Sequence, residues 1–291
     1  MKTIKNIKML SALSLAIGLA SCSSNSEDNK NVVDNNIIRF SVEHPAAVTR
    51  ATDTSFEQGD KVGIFLTDQN KVIELAGNYV TNVPLTYQGS AWNTPKPLYW
   101  NEGTYDVYAY YPYIPSITSV TDQPFSVATD QNTGQGFENS DLLWTAKKGI
   151  AASSGTVNLQ FSHRLSRIQL QLAKSDDYEG ELPDEAEIYI HNTVVDGTLD
   201  YNVGMVTCER HASPKTIKAR SLGNHYYAAI VIPQRLNNRV PLVEVVSHGV
   251  SYLYESRFLF KPGVQHNVQL VLSNNPDRVK IEIGGEIVDW N

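Results

Sequence analysis

Cysteine is almost missing from this chain of 291 residues: Cys22 and Cys208 are the two that occur. If the first is modified, the second has no mate. A disulfide framework is then excluded, the fold must rest on its core, and Cys208 reads as a small buried hydrophobe. Positive charge is also short. With 24 Lys and Arg against 31 Asp and Glu the net charge is −7, and no basic stripe forms. Phosphate neutralisation cannot drive binding, which excludes nucleic acid and anionic lipid headgroups as partners. No window repeats apolar residues at helical spacing. The histidines, His44, His163, His191, His211, His225, His248 and His266, hold no pair at metal-ligand spacing, so no metal or other cofactor is implied. His163, at the end of an apolar strand, reads as a core histidine. There is no Gly-x-Ser-x-Gly elbow, and Gly134-Gln135-Gly136 lacks the Lys-Ser/Thr of a phosphate loop. Asp196-Gly197-Thr198-Leu199-Asp200 lacks the acidic ladder of a calcium loop and reads as a plain turn. Nothing gathers a nucleophile, a base and an orienting group, so the chain does not read as an enzyme.

What is present begins at the N-terminus. Lys5 and Lys8 lead into the apolar run Met9 to Ala20, which is shorter than the roughly 18 residues needed to span a bilayer and has the layout of a secretory signal. The stop, Leu19-Ala20-Ser21-Cys22, resembles a lipobox, the site at which bacterial lipoproteins are cut before a cysteine that then takes acyl chains. Residues 1–21 are expected to leave as the signal peptide, and Cys22 to become a lipidated N-terminus. Each buried acyl CH₂ contributes about 0.8 kcal/mol, so several chains hold a soluble body to a membrane. Residues 22–36 are polar and rich in turn formers, a flexible tether. Glu27 and Asp28 within it resemble the acidic export signal of Bacteroidetes surface lipoproteins. The expected location is the cell outer membrane, lipid-anchored and surface-exposed.

From Ile38 onward the period is two. Ile38, Phe40 and Val42 alternate with Arg39 and Ser41; Ile168, Leu170 and Leu172 alternate with Arg167, Gln169 and Gln171. Such segments are half-buried strands. Tyr105 to Tyr111, Tyr226 to Ile232 and Val268 to Leu272 are more continuously apolar, as central strands between two covered faces are. Turn clusters separate these runs, and the polar stretch Asp122 to Asp141 reads as a loop or loosely ordered insertion. The pattern predicts an all-β, sandwich-like protein with a boundary near His163, giving an N-terminal domain over 37–163 and a C-terminal domain over 164–291.

Several segments in order carry a family resemblance. They are Val48-Thr49-Arg50-Ala51, Phe56-Glu57-Gln58-Gly59-Asp60-Lys61-Val62-Gly63-Ile64-Phe65, and Tyr105-Asp106-Val107-Tyr108-Ala109-Tyr110-Tyr111-Pro112-Tyr113. After these come Leu159-Gln160-Phe161-Ser162-His163-Arg164-Leu165-Ser166, Ile230-Val231-Ile232-Pro233-Gln234, Phe260-Lys261-Pro262-Gly263 and Ile287-Val288-Asp289-Trp290. Together with the lipobox they resemble the fimbrillin family of Bacteroidetes. The resemblance implies two tandem transthyretin-like β-sandwich domains in an accessory, anchor or tip subunit of a pilus that supports adhesion or biofilm formation. It implies other fimbrial subunits as partners, and a host or bacterial surface receptor or glycan beyond them. It also implies assembly by strand exchange, in which a protease removes an N-terminal strand and a neighbour's C-terminal strand fills the groove.

Both ends of the chain suit that mechanism. The short strand from Ile38 to Val42 is followed by a segment of small and polar residues holding Arg50, where a trypsin-like protease could cut before Ala51. Losing that strand would open sheet edges and an apolar groove. At the other end Val279, Ile281 and Ile283 alternate with Lys280 and Glu282, Gly284-Gly285 interrupts, and Ile287 to Trp290 resumes. Three or four large apolar side chains at about 1.5 to 3 kcal/mol each would supply roughly 5 to 10 kcal/mol in a neighbour's groove. The other reading of both segments is that they are the first and last strands of their own domains. The other reading of the whole is a glycan-binding surface lipoprotein, in which Trp92, Trp100 and the tyrosines from 105 to 113 form a flat platform for sugars.

Overall fold

The run Thr104–Tyr111 forms a strand whose two faces enter two different cores. Tyr105, Val107 and Ala109 point into one, Tyr108 and Tyr110 into the other. This double burial is why the segment is continuously apolar rather than alternating.

The computed structural model describes residues 36–45, 55–152 and 155–275, with the backbone of Lys280–Glu282 and Ile287–Asp289. The first half carries β1 (Arg39–Glu43), β2 (Lys61–Asp68), β3 (Val80–Tyr87), β4 (Trp92–Asn93), β5 (Thr104–Tyr111), β6 (Gln123–Ser126), β7 (Leu143–Ala151), β8 (Thr156–Gln160) and β9 (Ser162–His163). The second carries β10 (Ser166–Lys174), β11 (Glu187–Thr193), β12 (Asp196–Asp200), β13 (Met205–Cys208), β14 (Lys215–Lys218), β15 (Arg220–Gly223) and β16 (Tyr226–Val231). There follow β17 (Gln234–Ser247), β18 (Val250–Phe260), β19 (Val264–Leu272), β20 (Lys280–Glu282) and β21 (Ile287–Asp289). Among the described residues the helical content is one 3₁₀ turn, Glu138–Ser140. The protein is all-β.

An antiparallel sheet in the order β4-β3-β2-β5-β7-β9 fills the first half, with β1 and β8 as a separate parallel pair. Ile38, Phe40, Val62, Ile64, Val157 and Leu159 meet in its core. The opposite face of β2 and β5, through Phe65, Tyr108 and Tyr110, belongs to the larger core of the second half. There β15-β16-β10-β19 forms a sheet closed by β20 and β21, both on β19, and β14-β11-β17-β18 forms another.

The stretch Asp122 to Asp141 is not a loose insertion. Its β6 pairs with β12 of the second half. The Gln131 side chain acts as a short piece of strand against β16, its Nε2 donating to Ile230 O and its Oε1 accepting from Ile230 N, both at 2.8 Å. Phe137 is buried beneath the guanidinium of Arg167, 5.5 Å from its ring centre. Local polarity hid this order because the partners lie far along the chain. Asp196 to Asp200 is likewise a strand, β12, between β6 and β13, and not a turn. Its Gly197 is required by close approach, since a Cβ there would lie 2.5 Å from Thr207 O.

Candidate functional site

β1 is short, and its side chains alternate as period two requires: Phe40 is buried, as is Ile38 just before it, Val42 packs partly, and Arg39 and Glu43 face water. It lies parallel to β8 in a ladder from Arg39 opposite Thr156 to Glu43 opposite Gln160. The residues just ahead of it are held by the chain around Leu98 to Trp100. Ile38 N donates to Leu98 O at 2.8 Å, Trp100 N to Asn36 O at 2.7 Å, and Asn36 Nδ2 to Trp100 O at 2.6 Å. β1 is thus paired with β8 along one edge and tied at its start to the chain before Trp100, over a core it helps to close. An open groove of about 660 Å³ runs beside it, with Leu85, Trp92 and Pro97 among its walls.

The two ends of the segment that follows β1 are pinned together. His44 and Phe56 meet edge to face at 5.0 Å, and Phe56 also meets the rings of Trp92 at 5.0 Å and Tyr111 at 5.5 Å. Burial pushes the Tyr111 hydroxyl well above its ordinary pKa, and the negative charges of Asp60 and Asp141 add to this, so the cluster stays neutral on its tyrosine side. His163 sits just below, 4% exposed and 2.8 Å from Asp141 Oδ1. It is the core histidine that its position in the sequence suggested.

Of the residues marked from the sequence, Cys22, Arg50, Ala51, Val279, Ile283 and Trp290 lie outside the described residues, as do the signal peptide and nearly all of the tether. Ile281 stands opposite Leu270 and Ile287 opposite His266, so both tail strands pair with the outer edge of β19. Sequence reasoning missed β8 as the partner of β1, the Asn36 contact with Trp100, and the Phe56 clamp. None of these has a local signature, although Phe56 opens the family-like segment Phe56 to Phe65.

The aromatic platform does not form. Trp100, Tyr105, Tyr108 and Tyr110 are buried, and of the half-buried remainder Trp92 and Tyr111 pack on Phe56 while Tyr113 packs against the second-half core, so these rings share no flat face for a sugar. Cys208 is half-buried rather than interior, with its thiol pushed up to about 11 by burial. Among the described residues no three His, Cys, Asp or Glu side chains are grouped to hold a metal.

The family model described as fimbrillin-like matches residues 49–290. The chain belongs to the fimbrillin-like family. A relative in Bacteroides ovatus, named "Putative fimbrium tip subunit Fim1C", is 27% identical over 221 residues, covering 66% of this chain and 40% of that protein. The chain therefore spans well under half the length of the curated relative it matches. The fold is shared with solved structures of two proteins, each named a "putative cell adhesion protein". The one from Bacteroides ovatus has a TM-score of 0.69 and 18% identity, covering 88% of this chain and 97% of that one. The one from Bacteroides uniformis has a TM-score of 0.69 and 16% identity, covering 88% and 98%. At these identities the likeness speaks for the fold alone.

Proposed function

We propose that this chain is an accessory, anchor or tip subunit of a pilus, exported as a lipoprotein through Cys22 to the outer membrane and assembled by strand exchange. In this reading 37–163 and 164–291 are tandem β-sandwich domains. A protease cuts after Arg50, β1 leaves, and the C-terminal strand of a neighbouring subunit takes its place beside β8. The observation that carries the proposal is the seating of β1. A short strand paired with β8 along one edge, burying Phe40 with Ile38 just ahead of it, leaves behind both unpaired backbone and an apolar trough when it departs. The tail Val279, Ile281, Ile283 has the same spacing as Ile38, Phe40, Val42, so it can offer the same face to another copy's groove. Its position at the outer edge of β19 means that it can leave without breaking the β10–β19 ladder.

A removable clamp tests this. Ser41 and Asn158 are directly opposite in the β1–β8 ladder and their side chains meet at 3.4 Å, so Ser41→Cys with Asn158→Cys suits a disulfide. Oxidised protein should be cut at Arg50 yet fail to join other subunits, and reduction should restore joining. Equal joining by the oxidised and reduced forms would exclude departure of β1. Loss of fatty-acid labelling in Cys22→Ala tests the lipid anchor separately.

A further inference from the structure

β17 and β18 form the longest hairpin of the fold, closed by His248-Gly249 with φ of 50° and 78°. The two-residue turn makes Ser247 and Val250 a hydrogen-bonded pair; the ladder shifts register twice, between Pro241 and Val243 and between Leu236 and Val240, with the extra residues on β17, so β18 keeps its alternation, as its side-chain exposure also does: even-numbered residues direct their backbone groups at β17 and odd-numbered ones direct theirs away. β18 ends its sheet, with no strand paired beyond it among the described residues. One of its outward carbonyls, that of Arg257, accepts from the Ser256 hydroxyl at 2.9 Å. The odd side chains share the solvent face: Leu253 is 46% exposed and Leu259 37%, with Glu255 and Arg257 between them. A long edge strand with exposed leucines is a pairing template that single-chain proteins usually blunt.

We propose that this edge pairs with β18 of a second copy of the chain, antiparallel about a two-fold axis at Ser256, joining two four-stranded sheets into one. The sequence of the strand is complementary to itself in that register. Leu253 stands opposite Leu259 of the second copy, Glu255 opposite its Arg257, and Tyr254 opposite its Phe258, and the axis repeats each pair. Odd residues face odd residues, so every outward N–H and C=O meets one from the other strand. A shift of register by two residues would set Glu255 against Glu255 or Arg257 against Arg257. The present neighbour of Glu255 is the exposed Arg239, Nε to Oε2 at 3.6 Å, a weak contact that leaves the carboxylate able to accept a second cation. Arg257 forms no ion pair among the described residues. The occupant is a second copy because one strand carries both halves of each pair, as an isologous contact demands. The proposal uses neither β1 nor the C-terminal tail, so it stands or falls apart from strand exchange.

The test is mass measurement by light scattering on the full-length chain in detergent, over a range of concentrations. The parent should dimerise. Glu255→Arg alone and Arg257→Glu alone should each weaken the dimer by at least about tenfold, since each sets like charges opposite at two places. The double swap should recover, and so should an equimolar mixture of the two single variants, as a mixed dimer. Ser256→Cys, at the axis, should form an intermolecular disulfide under mild oxidation, whereas Ser251→Cys should not. A parent that stays monomeric, single variants that dimerise as well as the parent, or a mixture that fails to recover would each overturn the proposal. Equal crosslinking at 251 and 256 would overturn the register.

Discussion

Replacing Phe40 by Ala should loosen β1 from its seat while leaving the rest of the protein folded. Phe40 is 8% exposed and stands second in β1, opposite Val157, with its ring in the first-half core. Truncating a buried Phe costs about 3 to 5 kcal/mol, and the lower end suits a strand beside an open groove, where neighbours can relax. The assay begins with protein nicked at Arg50, so that the fragment bearing β1 is held only by contacts. Release of that fragment is then followed against excess synthetic β1 peptide. About 3 kcal/mol corresponds to release roughly 100-fold faster. Arg39→Ala, on the solvent side of the same strand, should change release less than about threefold. Equal effects of the two substitutions, or a Phe40→Ala fragment that leaves no faster than the parent's, would refute the claim that the apolar face of β1 holds it in place.

Gly63 lies under the Tyr110 ring, onto which a Cβ would fall; Tyr110 Oη donates to Asn82 Oδ1 at 2.7 Å and cannot swing aside. Gly63→Val should therefore cost about 2 kcal/mol and lower Tm by several degrees in thermal unfolding. Burial, with the Lys261 charge adding to it, pushes the His266 imidazole down to about 4, against about 6.5 unfolded. Its neutral form therefore favours folding fully above pH 6.5, and this contribution is lost as pH falls toward 4. His266→Gln should flatten that part of the stability curve by about 3 kcal/mol, measured by urea unfolding at each pH. Deleting residues 279–291 should leave a folded, soluble chain that no longer joins cleaved partners. A truncated chain that unfolds before any partner is added would show that its own sheet needs the tail.

The strands themselves were legible because period two is a local signal. Ile168, Leu170 and Leu172 are buried in β10 as their alternation required, and Tyr105 to Tyr111 lies between two cores as its continuous apolarity required. The failures share one cause. Asp122 to Asp141 and Asp196 to Asp200 look like loops because their hydrogen-bond partners sit elsewhere in the chain, at Ile230 and in β6 and β13. The seat of β1 was half legible: Ile38 and Phe40 announced an inward face, but nothing near them names β8. Trp100 misled in the opposite direction, since a side chain able to stack on sugars is equally able to fill a core.

The ladder between β1 and β8 joins residues 117 apart in sequence. Folding must close that large loop, and the cost of closure grows only slowly with length. The contacts of β1 seat it, and the intact chain between Pro45 and Ser55 adds to them by keeping β1 at an effective concentration of order millimolar, as a short connection does. While that connection lasts, another copy's strand, present at far lower concentration, cannot compete even if it fits equally well. One broken peptide bond abolishes the advantage without altering a single contact in the groove, and turns a closed subunit into one half of an ordinary binding equilibrium.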